Sequence, residues 1–202
     1  MISILDYGMG NIGSLENMFK RIGIKTNVIT ESWQVHACTK LVLPGVGSFD
    51  HAMSRLNSVT GLRESLDEAA HERKIPILGV CLGMQLLFSR SDEGDESGLS
   101  WIKGEVSKFD SSLGIKVPHM GWNSCQIKES SPLLRGITND ARFYFAHSYF
   151  ARAEEQQCSI MESNHGVVFD SAVNKGNIFG VQFHPEKSLK YGMKILMNFG
   201  EV

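Results

Sequence analysis

The feature that most restricts how this chain can fold is Gly79-Val80-Cys81-Leu82-Gly83. The apolar pair Ile77-Leu78 leads into it, and Leu86-Leu87-Phe88 follows after Met84-Gln85. A strand, a very tight turn and then a helix satisfy that order. A side chain at the apex of such a turn sits on strained backbone and needs small neighbours, which Gly79 and Gly83 provide. A helix opening beside Cys81 points its first N–H groups at the sulfur and favours thiolate, the reactive form of cysteine. Free cysteine is also among the most often buried residue types, so a purely structural cysteine at a strand end fits these nine residues too. A nucleophile reading requires a base, a group that orients the base, and donors for an oxyanion elsewhere in the chain.

With 202 residues the chain suffices for one well-cored domain, 1–202, and is short for two. Its net charge of −2 offers no basic face for nucleic acid or an anionic membrane surface. No apolar run approaches the length of a membrane span, and Met1-Ile2-Ser3-Ile4-Leu5-Asp6 lacks the basic and apolar regions of a secretory signal. The four cysteines, 38, 81, 125 and 158, are scattered with no CxxC. That spacing argues against a zinc knuckle or a disulfide framework and suits a reducing cytoplasm.

Ile2 to Leu5 reads as a buried strand, and Asp6 to Asn11 as a glycine-bearing turn that opens a helix from about Ile12 to Arg21. Ile12, Leu15, Met18, Phe19 and Ile22 recur at helical spacing. Gly8, Gly10 and Gly13 formally match a dinucleotide fingerprint. After the next strand, 26–30, only Glu31 stands near the place of the ribose-binding acid, so a turn shaped for helix packing or a partner surface fits better. A third strand, Leu41 to Pro44, ends in Pro44-Gly45-Val46-Gly47, whose glycines permit outward-turned N–H groups at the sheet edge where sites form. An ordinary strand-to-helix turn fits it as well. Helices over 48–57 and 61–73 precede the Cys81 strand, which opens after Pro76. Residues 89–100 read as a solvated acidic loop, one of whose acids would meet a substrate ammonium if the loop folds over Cys81.

From Trp101 the pattern changes to short strands: 102–106, 115–117, 123–127, 142–145, 147–151, 158–162, 167–172 and 177–183. A helix returns at 188–199 with Leu189, Met193, Leu196 and Met197 or Phe199 on its apolar face. The expected fold class is therefore α/β: an open, mostly parallel sheet flanked by helices, with a mostly β second half.

The second dense stretch is Gly180-Val181-Gln182-Phe183-His184-Pro185-Glu186-Lys187. Residues i and i+2 of an extended segment face the same way, and Pro185 holds His184 extended. His184 and Glu186 then lie on one side as a base and its orienting carboxylate, the pair a cysteine nucleophile needs. A strand-end histidine beside an unrelated surface acid is the alternative.

Together, Gly79 to Gln85 and Val181 to Ser188 resemble the class I (triad) glutamine amidotransferases. Asp6-Tyr7-Gly8-Met9-Gly10-Asn11, Pro44-Gly45-Val46-Gly47, Pro118-His119-Met120-Gly121-Trp122-Asn123 and Phe143 to Tyr149 are similar to the glutaminase subunits of imidazole glycerol phosphate synthases. The resemblance runs from Ile4 to Phe199. It implies that Cys81 attacks the glutamine side-chain amide, that His184 shuttles the proton and that Glu186 orients His184. It implies an oxyanion hole at Val46, Gly47 and Leu82, with a loop whose peptide flips under a partner's influence. Gln85, Glu93, Ser148 and Tyr149 match glutamine-binding positions, and Asn11, Met120, Trp122, Tyr144 and Lys187 match the face towards a (β/α)8-barrel synthase subunit that receives the ammonia for histidine biosynthesis. No metal or organic cofactor is implied. Paralogues of this subunit type also serve acetamidino-sugar synthesis in surface-polysaccharide gene clusters. A stand-alone γ-glutamyl hydrolase or cysteine peptidase, and a catalytically idle binding module, are the readings from other classes.

Overall fold

The computed structural model describes residues 1–202. Strand β1 (Ile2–Leu5) runs into helix α1 (Ile12–Arg21) and β2 (Thr26–Ile29). A short helix, α2 (Ser32–Val35), leads to β3 (Leu41–Gly45). Helices α3 (Phe49–Ser58) and α4 (Leu62–Asp67) precede β4 (Ile77–Cys81), and one helical turn, α5 (Leu82–Gln85), follows it. Then come β5 (Arg90–Ser91), β6 (Gly104–Lys108), β7 (His119–Ser124), β8 (Gln126–Ile127) and β9 (Arg142–His147). Strands β10 (Tyr149–Ala153), β11 (Ser159–Asn164), β12 (Val168–Lys175) and β13 (Ile178–Val181) precede α6 (Leu189–Glu201).

Eight strands form the central sheet in the order β2-β1-β3-β4-β13-β12-β11-β8. The first five are mutually parallel, and β12, β11 and β8 continue the sheet antiparallel. A three-stranded sheet, β10-β6-β5, and the ribbon β7-β9 complete the second half. This is the α/β class expected from the sequence. Period-two alternation sends Leu5, Leu41, Leu43 and Ile77 to one face, where Phe49, Met53, Leu56, Leu62 and Leu66 of α3 and α4 cover them. Ile2, Ile4, Val42, Leu78 and Val80 meet α1 and α6 on the other face. Burial on both faces explains why these strands read as continuous apolar runs. No helix is long and apolar enough to cross a membrane.

The departures from the sequence expectations have local causes. The helix after Cys81 lasts one turn because residues 99–102 claim the carbonyls a longer helix would use. Leu99 N–H donates to Leu86 O, Trp101 and Ile102 N–H to Leu87 O, and Ser100 N–H to Phe88 O. The acidic loop is anchored rather than free: Asp50 carboxylate oxygens accept from Asp95 and Glu96 N–H, each at 3.0 Å. Residues 115–117 form no strand, and the Lys116 carbonyl accepts instead from His165 Nε2 at 2.7 Å. The expected strand 123–127 breaks at Cys125 into β7, which pairs with β9, and β8, which pairs with β11. Segment 61–73 is α4 followed by a π-helical turn, Glu68–Glu72. On α6 the buried stripe is Gly192, Ile195, Leu196 and Phe199, and Leu189 and Met197 lie outside it, 66% and 39% exposed.

The glycine turn after β1 serves packing. A Cβ on Gly10 would stand 3.1 Å from Pro44 Cγ, so the turn lies against the end of β3. Glu31 opens α2, an element the sequence did not announce, and Gln34 Oε1 accepts from its N–H at 3.0 Å. Strands β3, β4 and β13 are adjacent and parallel, with Gly45 opposite Cys81 and Val181 opposite Val80. Their carboxyl ends therefore deliver Val46, Cys81 and the segment to His184 at one edge of the sheet, where open α/β sheets build their sites.

Candidate active site

Cys81 ends β4 with φ +54° and ψ −111° and is 6% exposed. A non-glycine residue at such angles is strained and persists only where its surroundings force it. Here the surroundings are three glycines. A Cβ on Gly79 would lie 2.5 Å from Gly83 O, one on Gly83 1.9 Å from Leu43 O, and one on Gly45 2.7 Å from Gly83 N. The turn thus sits directly against both β3 and β4, which no side chain at these positions permits.

His184 follows β13. Its N–H donates to Tyr144 O at 2.9 Å, and its own carbonyl accepts from Ser188 Oγ at 2.7 Å. Ser188 Oγ also accepts from Tyr144 N–H at 3.0 Å, which ties the histidine to β9 from both sides. Pro185 starts a 3-10 turn over Pro185–Lys187 that brings Glu186 Oε1 to 2.8 Å from His184 Nδ1. Both side chains are 6% exposed. Burial alone would lower the imidazole pKa, but hydrogen bonds and charge from Cys81 and Glu186 outweigh it and raise the value to about 10. The histidine is thus built to hold a proton beside the thiol.

A cavity of about 250 Å³ opens over these residues. Val46, Gly47, Leu82, Gln85, Glu93, Met120, Ser148 and Tyr149 line it with Cys81 and His184. The structure therefore gathers the expected oxyanion and substrate positions around one thiol, with Glu186 behind the histidine. The N–H groups of Val46 and Gly47 donate to no protein acceptor. Glu93 Oε2 accepts from Phe49 N–H at 2.8 Å at the start of α3, and burial raises the pKa of its carboxyl. Asn11, Met120, Trp122 and Lys187 are exposed and Tyr144 is half-buried, and of these five Met120 lines the cavity. Trp122 meets the Tyr144 ring edge-on at 6.1 Å, and Lys187 Nζ stands 5.5 Å from that ring.

Three groups of residues escaped the sequence expectations. Tyr7 is buried and its hydroxyl donates to Pro44 O at 2.7 Å, which pins the loop that carries Val46. Burial raises its phenol pKa above the ordinary range. Gln182 is fully buried between Gln85 and Cys81. The sequence expected His184 and Glu186 to pair across an extended segment, whereas the 3-10 turn brings them together, so the i, i+2 rule gave no dependable signal for Gln182. A polar chain leads to the cavity wall, which His147 and Tyr149 help to line: Asn123 Nδ2 to His119 Nε2 at 3.2 Å, His119 Nδ1 to His147 Nε2 at 2.9 Å, and His147 Nδ1 to Tyr149 O at 2.7 Å. Burial, reinforced by neighbouring imidazoles, lowers the pKa of His119 to about 4 and that of His147 to about 3, so both are neutral donors and acceptors near pH 7. No three His, Cys, Asp or Glu side chains converge to hold a metal ion, and all four cysteines are free thiols.

A strained thiol, an imidazole–carboxylate pair and free N–H donors around one cavity suit acyl transfer from an amide or ester through a covalent thioester. Comparison with known proteins points the same way. Residues 3–201 match the family model described as glutamine amidotransferase class-I. The chain is 46% identical to the imidazole glycerol phosphate synthase subunit HisH of Bdellovibrio bacteriovorus, over the full length of both. It is 43% identical, again over both full lengths, to the subunit of the same name from Leptospira interrogans. A crystal structure of a glutamine amidotransferase shares the fold, with a TM-score of 0.77 at 16% identity over 99% of this chain and 97% of that one.

Proposed function

The chain belongs to the class I glutamine amidotransferases, among the HisH subunits of imidazole glycerol phosphate synthase, and on that premise we propose how its residues divide the work. It is a glutaminase that hydrolyses glutamine to glutamate and ammonia for histidine biosynthesis. The observation that carries the residue roles is the convergence of Cys81, His184 and Glu186 at the ends of two paired strands, with His184 Nδ1 2.8 Å from Glu186 Oε1.

Cys81 thiolate attacks the side-chain amide carbon of glutamine. The carbonyl oxygen becomes an oxyanion, met by N–H groups of the Val46–Gly47 loop and of Leu82, each such donor lowering the barrier by about 3 kcal/mol. Imidazolium His184 passes its proton to the departing nitrogen, and ammonia leaves behind a γ-glutamyl thioester on Cys81. His184 then takes a proton from water, the resulting hydroxide attacks the thioester, and glutamate departs as the thiolate is restored. Glu186 keeps the imidazole in one tautomer and stabilises its charged form. Gln85, Glu93, Ser148 and Tyr149 hold the substrate. Glu93, already bonded to the start of α3, is the acid of the 89–100 loop that faces the substrate ammonium.

Ammonia passes to a separate (β/α)8-barrel synthase subunit docked on Asn11, Met120, Trp122, Tyr144 and Lys187. Met120 lines the cavity while 65% exposed, so it stands where the site meets that surface. Residues 1–202 act as a single domain in the cytoplasm, and the chain itself needs no cofactor. The test is glutamate release from glutamine by the full chain, alone and with a barrel synthase subunit and its nucleotide ligand. Slow release alone and strong release with the partner is expected. Equal rates in both would favour a stand-alone γ-glutamyl hydrolase.

A further inference from the structure

Gln182 has no part in the triad, yet its side-chain amide is held in one orientation. The Tyr149 carbonyl only accepts, so the Gln85 atom 2.9 Å from it is the Nε2 donor. The same Nε2 lies 3.0 Å from Gln182, which must therefore offer Oε1 there. That leaves Gln182 Nε2 pointing the other way, 3.8 Å from Cys81 Sγ. The same Tyr149 carbonyl also takes the end of the polar chain. Asn123 Oδ1 accepts from Ser124 N–H at 2.9 Å, so its Nδ2 faces His119, and each histidine then accepts at one nitrogen and donates at the other until Tyr149 O is reached. Gln182 is 0% exposed, so no water competes for its amide.

We infer that Gln182 is a dedicated N–H donor to the Cys81 sulfur, an inference that rests on Cys81 being the nucleophile. The donor is uncharged and cannot exchange a proton with the thiol. It favours thiolate over thiol by hydrogen bonding the charged form. It also holds Sγ on the His184 side of the cavity when the thioester is hydrolysed. A neutral thiol tolerates the long 3.8 Å contact, and the charged sulfur draws the donor in. The sulfur is thereby stabilised by a fixed dipole as well as by the proton on His184.

The experiment is the rate of Cys81 alkylation by iodoacetamide against pH, followed by peptide mapping, in the full wild-type chain and in Gln182→Leu and Gln182→Met. Loss of a hydrogen bond to a charged group should raise the apparent pKa of alkylation by about one unit or more and slow the reaction about tenfold at neutral pH. The kcat for glutamine should fall by a similar factor with KM little changed. An unchanged alkylation profile in a folded variant would overturn the inference. Absence of Cys81 alkylation in the wild type would instead remove the nucleophile reading on which it rests. Should both variants fail to fold, the wild-type chain still decides: the Gln182 side-chain NH₂ resonances should shift in step with Cys81 titration, and their indifference to it would overturn the proposal.

Discussion

Replacing Cys81 by serine should reduce glutamine turnover by about four orders of magnitude or more while leaving the fold intact. The change exchanges one atom and keeps the side chain small enough for the gap left by Gly79 and Gly83. It removes the acidity on which the site depends. A thiol can give its proton to an imidazole whose pKa is raised to about 10, whereas a hydroxyl is far too weak an acid for that exchange. Serine also removes the hydrogen bond and charge from Cys81 that help to raise His184, so the imidazolium–thiolate pair is lost and no attacking anion forms. The measurement is kcat for glutamate release by the full chain with its barrel partner, alongside the thermal unfolding midpoint. Turnover within tenfold of wild type would remove Cys81 from the chemistry.

The second large effect concerns the turn itself. Gly83→Ala would place a methyl group 1.9 Å from Leu43 O and 2.8 Å from Leu43 C. Both are backbone atoms of a central strand buried on both faces, so no rotamer change relieves the clash. The expected loss is about 4 kcal/mol or more, the upper range for single substitutions and a large share of a domain's whole stability. Gly13→Ala supplies the contrast. Its new methyl meets nothing within 4 Å, and it lies in the first turn of α1, where alanine is favoured over glycine by up to about 1 kcal/mol. Chemical denaturation of both variants should show a collapse of the folded state for Gly83→Ala and no loss for Gly13→Ala. Equal stabilities would mean that β3 and the Cys81 turn are not packed as described.

Much of this was legible in the sequence because the informative residues are ones whose chemistry permits few uses. Glycines flanking Cys81 constrain the backbone locally, so their consequence could be read without knowing the fold; His184 and Glu186 do pair, but through a 3-10 turn rather than the extended segment expected around Pro185. Strand and helix positions in the first half followed from continuous apolar runs, buried on both faces of one sheet, and from 3.6-residue apolar patterns. What stayed hidden depends on distant partners. The length of α5 was set by residues 99–102, which take the carbonyls of residues 86–88 that a longer helix would use. The break at Cys125 was set by β9 and β11 belonging to different sheets. The phenol of Tyr7 pins Pro44 across 37 residues, and Gln85 meets Gln182 across 97. No local pattern marks such pairs. Leu189 misled because it fits a helical stripe that in fact begins at Gly192.

The most direct test of the central claim, that Cys81 is the nucleophile of a glutaminase, is inactivation of the full chain by a glutamine-like chloroketone followed by peptide mapping. One adduct per chain is expected, on Cys81, appearing in step with loss of glutamate release and slowed by added glutamine. An adduct on Cys38, Cys125 or Cys158 accompanying inactivation, or full activity after Cys81 is modified, would contradict it.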